Sequence, residues 1–143
     1  MYLKLNNKIV NLFIFSAIFF GIFIRIYNIN YDDFWFDEIV SFWVSDPSIS
    51  IKESFDRNNI AEGSGLLYNF ILKLIYNLFQ YDPNIGRYVS SIFSILSIFT
   101  LTYLSKLVSK NNSHLLTLFL VSFNVFLILY SMESRVYSFL FFF

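Results

Sequence analysis

The sequence predicts an all-α polytopic membrane protein. It has three transmembrane helices, with juxtamembrane amphipathic helices in the first extracytoplasmic loop. Three observations predict this class. The chain is 57% hydrophobic and 22% aromatic but only 14% charged, whereas globular domains carry roughly 25% charged residues. It holds apolar windows close to the roughly 20 residues a helix needs to cross a bilayer. Its charges also sort to two sides once those windows are taken as crossings.

The first span is predicted over about 9–29. Ile9 to Ile24 carry no charge, and Arg25 follows near the helix end, where a long cationic side chain can snorkel to the interface. A cleaved signal peptide is the competing reading, with Lys4 and Lys8 as its basic head. No small-x-small cleavage site follows, and it leaves the later spans unexplained.

Residues of about 30–87 form the outer loop. It opens with "YDDFWFDEIV", where Asp32, Asp33, Asp37 and Glu38 lie among aromatics. Asp37 is read as the N-cap of a short helix whose Ile39, Val40, Trp43 and Val44 rest on the membrane interface. Residues 66–81, "LLYNFILKLIYNLFQY", reach only about 24 Å as a helix. Asn69, Lys73, Asn77 and Gln80 form a polar row, and Leu66, Phe70, Leu74 and Leu78 an apolar one. That period suits a helix lying flat in the interface. The alternative is a short crossing with Lys73 inside a bundle.

The second span is predicted over about 88–105. Ser90, Ser94, Ser97 and Ser105 share one stripe, which lets helices approach closely in lipid. The third span is predicted over about 115–132. With the flat helix kept out of the membrane core, Lys4, Lys8, Lys106, Lys110 and His114 share the cytoplasmic side, so the N-terminus is cytoplasmic. Every acidic residue, from Asp32 to Glu133, then lies outside. If residues 66–81 crossed, Glu133 would move inside and Lys106 and Lys110 outside. The expected location is the cell membrane, inner or plasma.

Several function classes are excluded or weakened. Net charge is zero, giving no sign of a nucleic-acid partner, and there is no cysteine. The sole histidine, His114, falls on the inner side, so no Ser-His-Asp set can assemble on one face. No metal-ligand cluster and no glycine-rich phosphate loop are visible. A channel or transporter is hard to draw, because Lys73 is the only charge inside an apolar segment besides the end-placed Arg25.

What is left is chemistry at the outer face. A carboxylate at a lipid boundary loses hydration on one side, which raises its basicity and suits a general base. "YSMESRVY", Tyr130 to Tyr137, lies where the third span emerges. Glu133 and Tyr137 are one helical turn apart, while Arg135 points elsewhere on a straight helix. Either the helix breaks here or these groups address different neighbours. Arg135 and Arg87 can grip a phosphate, since guanidinium matches phosphate oxygens bidentately. The plainer reading makes these groups interfacial caps and ion pairs.

The order of these segments resembles the N-terminal part of membrane glycosyltransferases of the GT-C fold. The nearest likeness is to protein-mannosyltransferase-like and aminoarabinose-transferase-like enzymes. The motifs that carry it are the Asp37-Glu38 pair, "NIGRYVSSIFSIL" with Arg87 and Ser90, and "YSMESRVY". The last is similar to Tyr-Ser-x-Glu-x-Arg-Pro-Tyr, with Tyr130, Ser131, Glu133, Arg135 and Tyr137 matching and Val136 in place of proline. At "EGSGLLYNF" the family has His-Pro-Pro-Leu-Tyr; Leu67 and Tyr68 match, and Glu62 is the acid nearby.

The resemblance implies transfer of a sugar, with inversion, from a polyprenyl-phosphate carrier to a lipid, glycan or protein acceptor. It implies Asp37 as catalytic base with Glu38 beside it, Arg135 and Arg87 at the donor phosphate, and Glu133, Tyr137, Tyr68 and Glu62 in support. No organic cofactor is implied, and a metal need is left open. The likeness covers nearly all 143 residues, but the family has many more spans, so a truncated fragment is expected. The alternative is a non-catalytic small multispan protein or a pseudoenzyme remnant.

Overall fold

The computed structural model describes residues 7–27, 29–61, 65–109 and 113–142. Among these residues the chain forms helices α1 (Asn7–Ile26), α2 (Phe36–Val44), α3 (Ile51–Ile60) and α4 (Leu66–Leu78). They are followed by α5 (Pro83–Val108), α6 (Ser113–Phe123), α7 (Val125–Ser131) and α8 (Val136–Phe142), with no strand. By length and composition α1 and α5 can each cross a membrane, and α6 with α7 makes a third crossing if the bent pair is one span. These apolar helices mark the chain as membrane-associated.

Each expected span is adjusted at its ends. α1 stops at Ile26 rather than near residue 29. α5 begins at Pro83, five residues before the expected start. Asp82 caps it, accepting from the Asn84 amide at 2.9 Å, and Pro83 occupies the first turn, where its missing N–H costs nothing. The third apolar segment is two helices that meet at 50°. Asn124 makes the break: its side chain accepts from the Leu127 amide at 3.1 Å and starts α7 afresh.

Breaking a helix inside an apolar segment strands backbone carbonyls, which lipid cannot satisfy. Arg25 satisfies them. It does not snorkel outward as expected but is fully buried. Its guanidinium donates to the carbonyls of Val121 at 2.8 Å and Ser122 at 2.9 Å, and to Ser94 Oγ at 2.7 Å. α1 and α6 pack closely enough that a methyl group on Gly21 would lie 3.0 Å from Ser122 Cβ.

The expected serine stripe is the inner face of α5. Ser90, Ser94 and Ser97 are buried on it, and Ser105 accepts from Thr117 on α6 at 2.9 Å. Ser91, absent from that stripe, donates to the carbonyls of Arg25 and Ser131. One apolar core joins α1, α5 and α6 through Ala17, Ile98, Leu118 and Val121. A second joins α4, α5 and α8 through Tyr68, Leu72, Tyr76, Val89 and Phe139.

α4 turns its polar row differently from the expectation. Asn69 is buried and donates to Asn58 of α3 at 3.0 Å. Lys73 donates to the carbonyls of Asp46 and Ile49 in the α2–α3 connection. Leu67, Leu74 and Leu78 are left exposed instead. The amine reaches inward because those two carbonyls lie beyond the ends of α2 and α3 and lack helical partners.

Candidate functional site

The site is assembled at the start of α2, the start of α5 and the turn between α7 and α8. α2 begins at Phe36, so Asp37 is in its first turn and is not the N-cap. Glu38 instead reaches back to the Trp35 amide at 3.1 Å, half of a capping box. The α7–α8 turn, residues 132–135, is non-helical. The helix therefore breaks within "YSMESRVY", which frees Arg135 from the spacing of a straight helix.

Glu38 and Arg87 form a buried clip beneath the site. Arg87 Nε donates to Glu38 Oε1 at 2.9 Å and Nη2 to Oε2 at 2.9 Å. The remaining donors go to the carbonyls of Asp32 at 2.9 Å, Asp33 at 3.1 Å and Ile29 at 3.5 Å. The guanidinium also lies 4.3 Å over the Phe34 ring. A guanidinium has five N–H donors, and all five of Arg87 are committed. The expectation that Arg87 grips a donor phosphate is corrected on that geometry. Glu38 is likewise buried, and it accepts a further bond from the Ser134 amide at 2.7 Å. It therefore organises the site from below and does not face it.

Above the clip, Arg135 faces Asp37. Its Nη2 lies 3.1 Å from Asp37 Oδ2, and the Asp37 side chain is 61% exposed. The one-sided desolvation expected for this carboxylate is therefore not supplied by the described residues. Arg135 Nε lies 3.3 Å from Glu133 Oε2, yet neither atom has a hydrogen-bond partner, so the ion pair is misaligned. Burial holds the Glu133 carboxyl above its ordinary range, and the attraction of Arg135 offsets this only in part. Arg135 also sits 5.9 Å from the centre of the Tyr137 ring.

Asp37, Arg135 and Tyr137 line one open cleft of about 940 Å³. Its other walls are apolar, chiefly Phe36, Ile39, Val40, Trp43 and Ile60. Arg57 of α3 fixes the Trp43 wall, donating to the Trp43 carbonyl at 3.0 Å with its guanidinium 4.8 Å over the indole. The lining of α2 was readable as a helical stripe at positions 36, 39, 40 and 43. The contribution of Ile60 and the role of Arg57 were not, because α3 has no apolar period.

The other expected residues lie apart. Tyr68 is buried in the core beside α5, its hydroxyl 2.7 Å from Ser90 Oγ, and burial pushes its pKa up to about 12. It supports the clip region and does not line the cleft. Glu62 lies outside the described residues. Among the described residues, no group of three or more histidine, aspartate or glutamate side chains is placed to hold a metal ion.

The arrangement offers one exposed carboxylate, one guanidinium with unused donor capacity, and an apolar trough beside them. No protein-family model matches the chain, and no curated protein and no solved structure is significantly similar to it.

Proposed function

We propose that the chain is the N-terminal part of an inverting membrane glycosyltransferase of the GT-C type, using a polyprenyl-phosphate-linked sugar. The observation that carries this reading is the meeting of Asp37 and Arg135 at the mouth of an apolar cleft. An amphipathic phosphate ester needs that combination: a cation for its head and a greasy wall for its tail. In the membrane frame, α1, α5 and the bent α6–α7 pair cross. α4 lies along the interface on its exposed leucines, the N-terminus is cytoplasmic, and the cleft faces the exterior.

In the reaction, Asp37 takes the proton of an acceptor hydroxyl or amine. The acceptor atom bonds to the anomeric carbon from the face opposite the phosphate. The carbon–oxygen bond to phosphate breaks, and its electron pair leaves with the polyprenyl phosphate. Negative charge thus grows on the phosphate, where Arg135 is positioned by Glu133. A preorganised cation stabilises that change. The acceptor is a lipid, glycan or protein.

The test uses membranes carrying the protein and a radiolabelled polyprenyl-phosphate hexose. Release of polyprenyl phosphate should be lost in Asp37→Asn and retained in Asp33→Asn. Undiminished release in Asp37→Asn removes Asp37 from the role of base. A second reading, a non-catalytic membrane protein, has one observation in its favour. Glu38 and Arg87, two of the motif residues, are fully accounted for as a structural clip. Absence of release from the wild-type protein despite donor binding favours that reading.

A further inference from the structure

Asp37 occupies Arg135 Nη2 at the mouth of the cleft, where a phosphate ester would meet the guanidinium. The contact is a single 3.1 Å approach at the cleft mouth. Exposed pairs of this kind are weak, whereas a phosphate ester can engage guanidinium through two charge-assisted bonds. Glu133 lies against Nε on the same edge of the guanidinium, so Arg135 keeps a carboxylate neighbour when Asp37 departs. Arg135 Nε is buried against Glu133, so the reserve that meets an incoming anion is in the Nη groups. Arg87 has no such reserve, so the two arginines of the region differ in kind.

We propose that the Asp37–Arg135 pair is a latch opened by the phosphate group itself. This rests on the reading of the cleft as a phosphate-ester site. In the arrangement described, Asp37 is engaged with Arg135 and not with an acceptor. When a phosphate ester enters, it displaces Asp37 from the guanidinium. The freed carboxylate turns to the acceptor only while donor is bound. Asp37 and the phosphate therefore compete for one cation, and the base is withheld until there is a leaving group to act on.

The competition predicts an effect opposite in sign to that of an ordinary supporting residue. The experiment measures binding to the full chain in dodecyl maltoside, a phosphate-free detergent. Trp43 fluorescence is followed in a Trp35→Phe background, with dodecyl phosphate and inorganic phosphate as probes. Asp37→Asn should bind dodecyl phosphate about 3-fold tighter than the parent, the size expected for release of an exposed pair. Asp37→Ser should do the same, which separates lost competition from a new contact made by asparagine. Arg135→Gln should weaken binding more than tenfold. Circular dichroism checks that each variant is folded.

Weaker or unchanged binding in both Asp37 variants, with the loss in Arg135→Gln intact, overturns the latch and leaves the phosphate site standing. Unchanged binding in Arg135→Gln overturns the phosphate site and the latch together. Tighter binding of dodecyl phosphate than of inorganic phosphate is expected from the apolar wall. Equal binding of the two overturns the assignment to a lipid-borne ester in favour of a free anion.

Discussion

Three arginines show how one side chain takes three roles according to what surrounds it. Arg25 is buried among neutral oxygens, Arg87 is saturated by Glu38 and loop carbonyls, and Arg135 stands at a cleft with capacity unspent. Removing Glu38 as Glu38→Ala strands the Arg87 charge, and breaking a buried pair costs about 3–5 kcal/mol. Chemical denaturation in detergent should show that loss. The double variant Glu38→Ala with Arg87→Met should lose much less than the sum of the two single changes. Additive losses would show that the two groups act independently. Sequence reading put Glu38 beside the base and both Arg87 and Arg135 at the donor phosphate, and did not see that Glu38 and Arg87 pair with each other. Glu38 and Arg87 are 49 positions apart, and three of the Arg87 acceptors are backbone carbonyls, which leave no trace in residue types.

At the scale of elements, packing is close where α5 begins. A methyl group on Gly86 would come within 2.1 Å of Ser134 Oγ and 2.7 Å of the Tyr76 hydroxyl. Gly86→Ala should therefore cost about 1–3 kcal/mol by overpacking, seen as a lower melting temperature. It should also disturb Trp43 emission if the α7–α8 turn shifts. The α2–α3 connection carries an acid-sensitive anchor. Asp46 accepts from the Ser48 hydroxyl at 2.6 Å and from the Ser48 amide at 2.8 Å, and the hydroxyl bond is the chief reason its carboxyl is held below the ordinary carboxylate range. A carboxylate favoured by the fold contributes stability above its unfolded pKa, and that contribution is lost as pH falls through the lower folded value. Asp46→Asn should thus narrow the gap between melting temperatures at pH 6 and pH 3; an equal gap would remove Asp46 from that role. The anchor's neighbour α3 was legible after all. Ser50 accepts from the Glu53 amide at 3.1 Å, and the Ser-x-x-Glu spacing is a helix-start signature. The apolar search passed over it because Ile51, Phe55 and Ile60 are the only apolar residues in α3.

For the whole molecule, the long apolar runs and the serine stripe were readable because lipid and close helix packing impose simple patterns. The bend at Asn124 was less readable, since one asparagine in an apolar run has many uses. Sidedness is the property on which the functional reading stands. In the cysteine-free chain, an impermeant maleimide applied to intact cells should label Asp56→Cys and spare Lys106→Cys. Labelling at 106 would invert the scheme. The bend also has a geometric consequence for the surface. α7 is 7 residues long, so at 1.5 Å per residue a 50° tilt swings its far end sideways by about 8 Å. The Ser134 amide that meets Glu38 at 2.7 Å lies three residues beyond the far end of α7. Arg25, bonded to the last carbonyls before the bend, stands at the fulcrum of a short lever whose far end leads into the turn that carries Arg135.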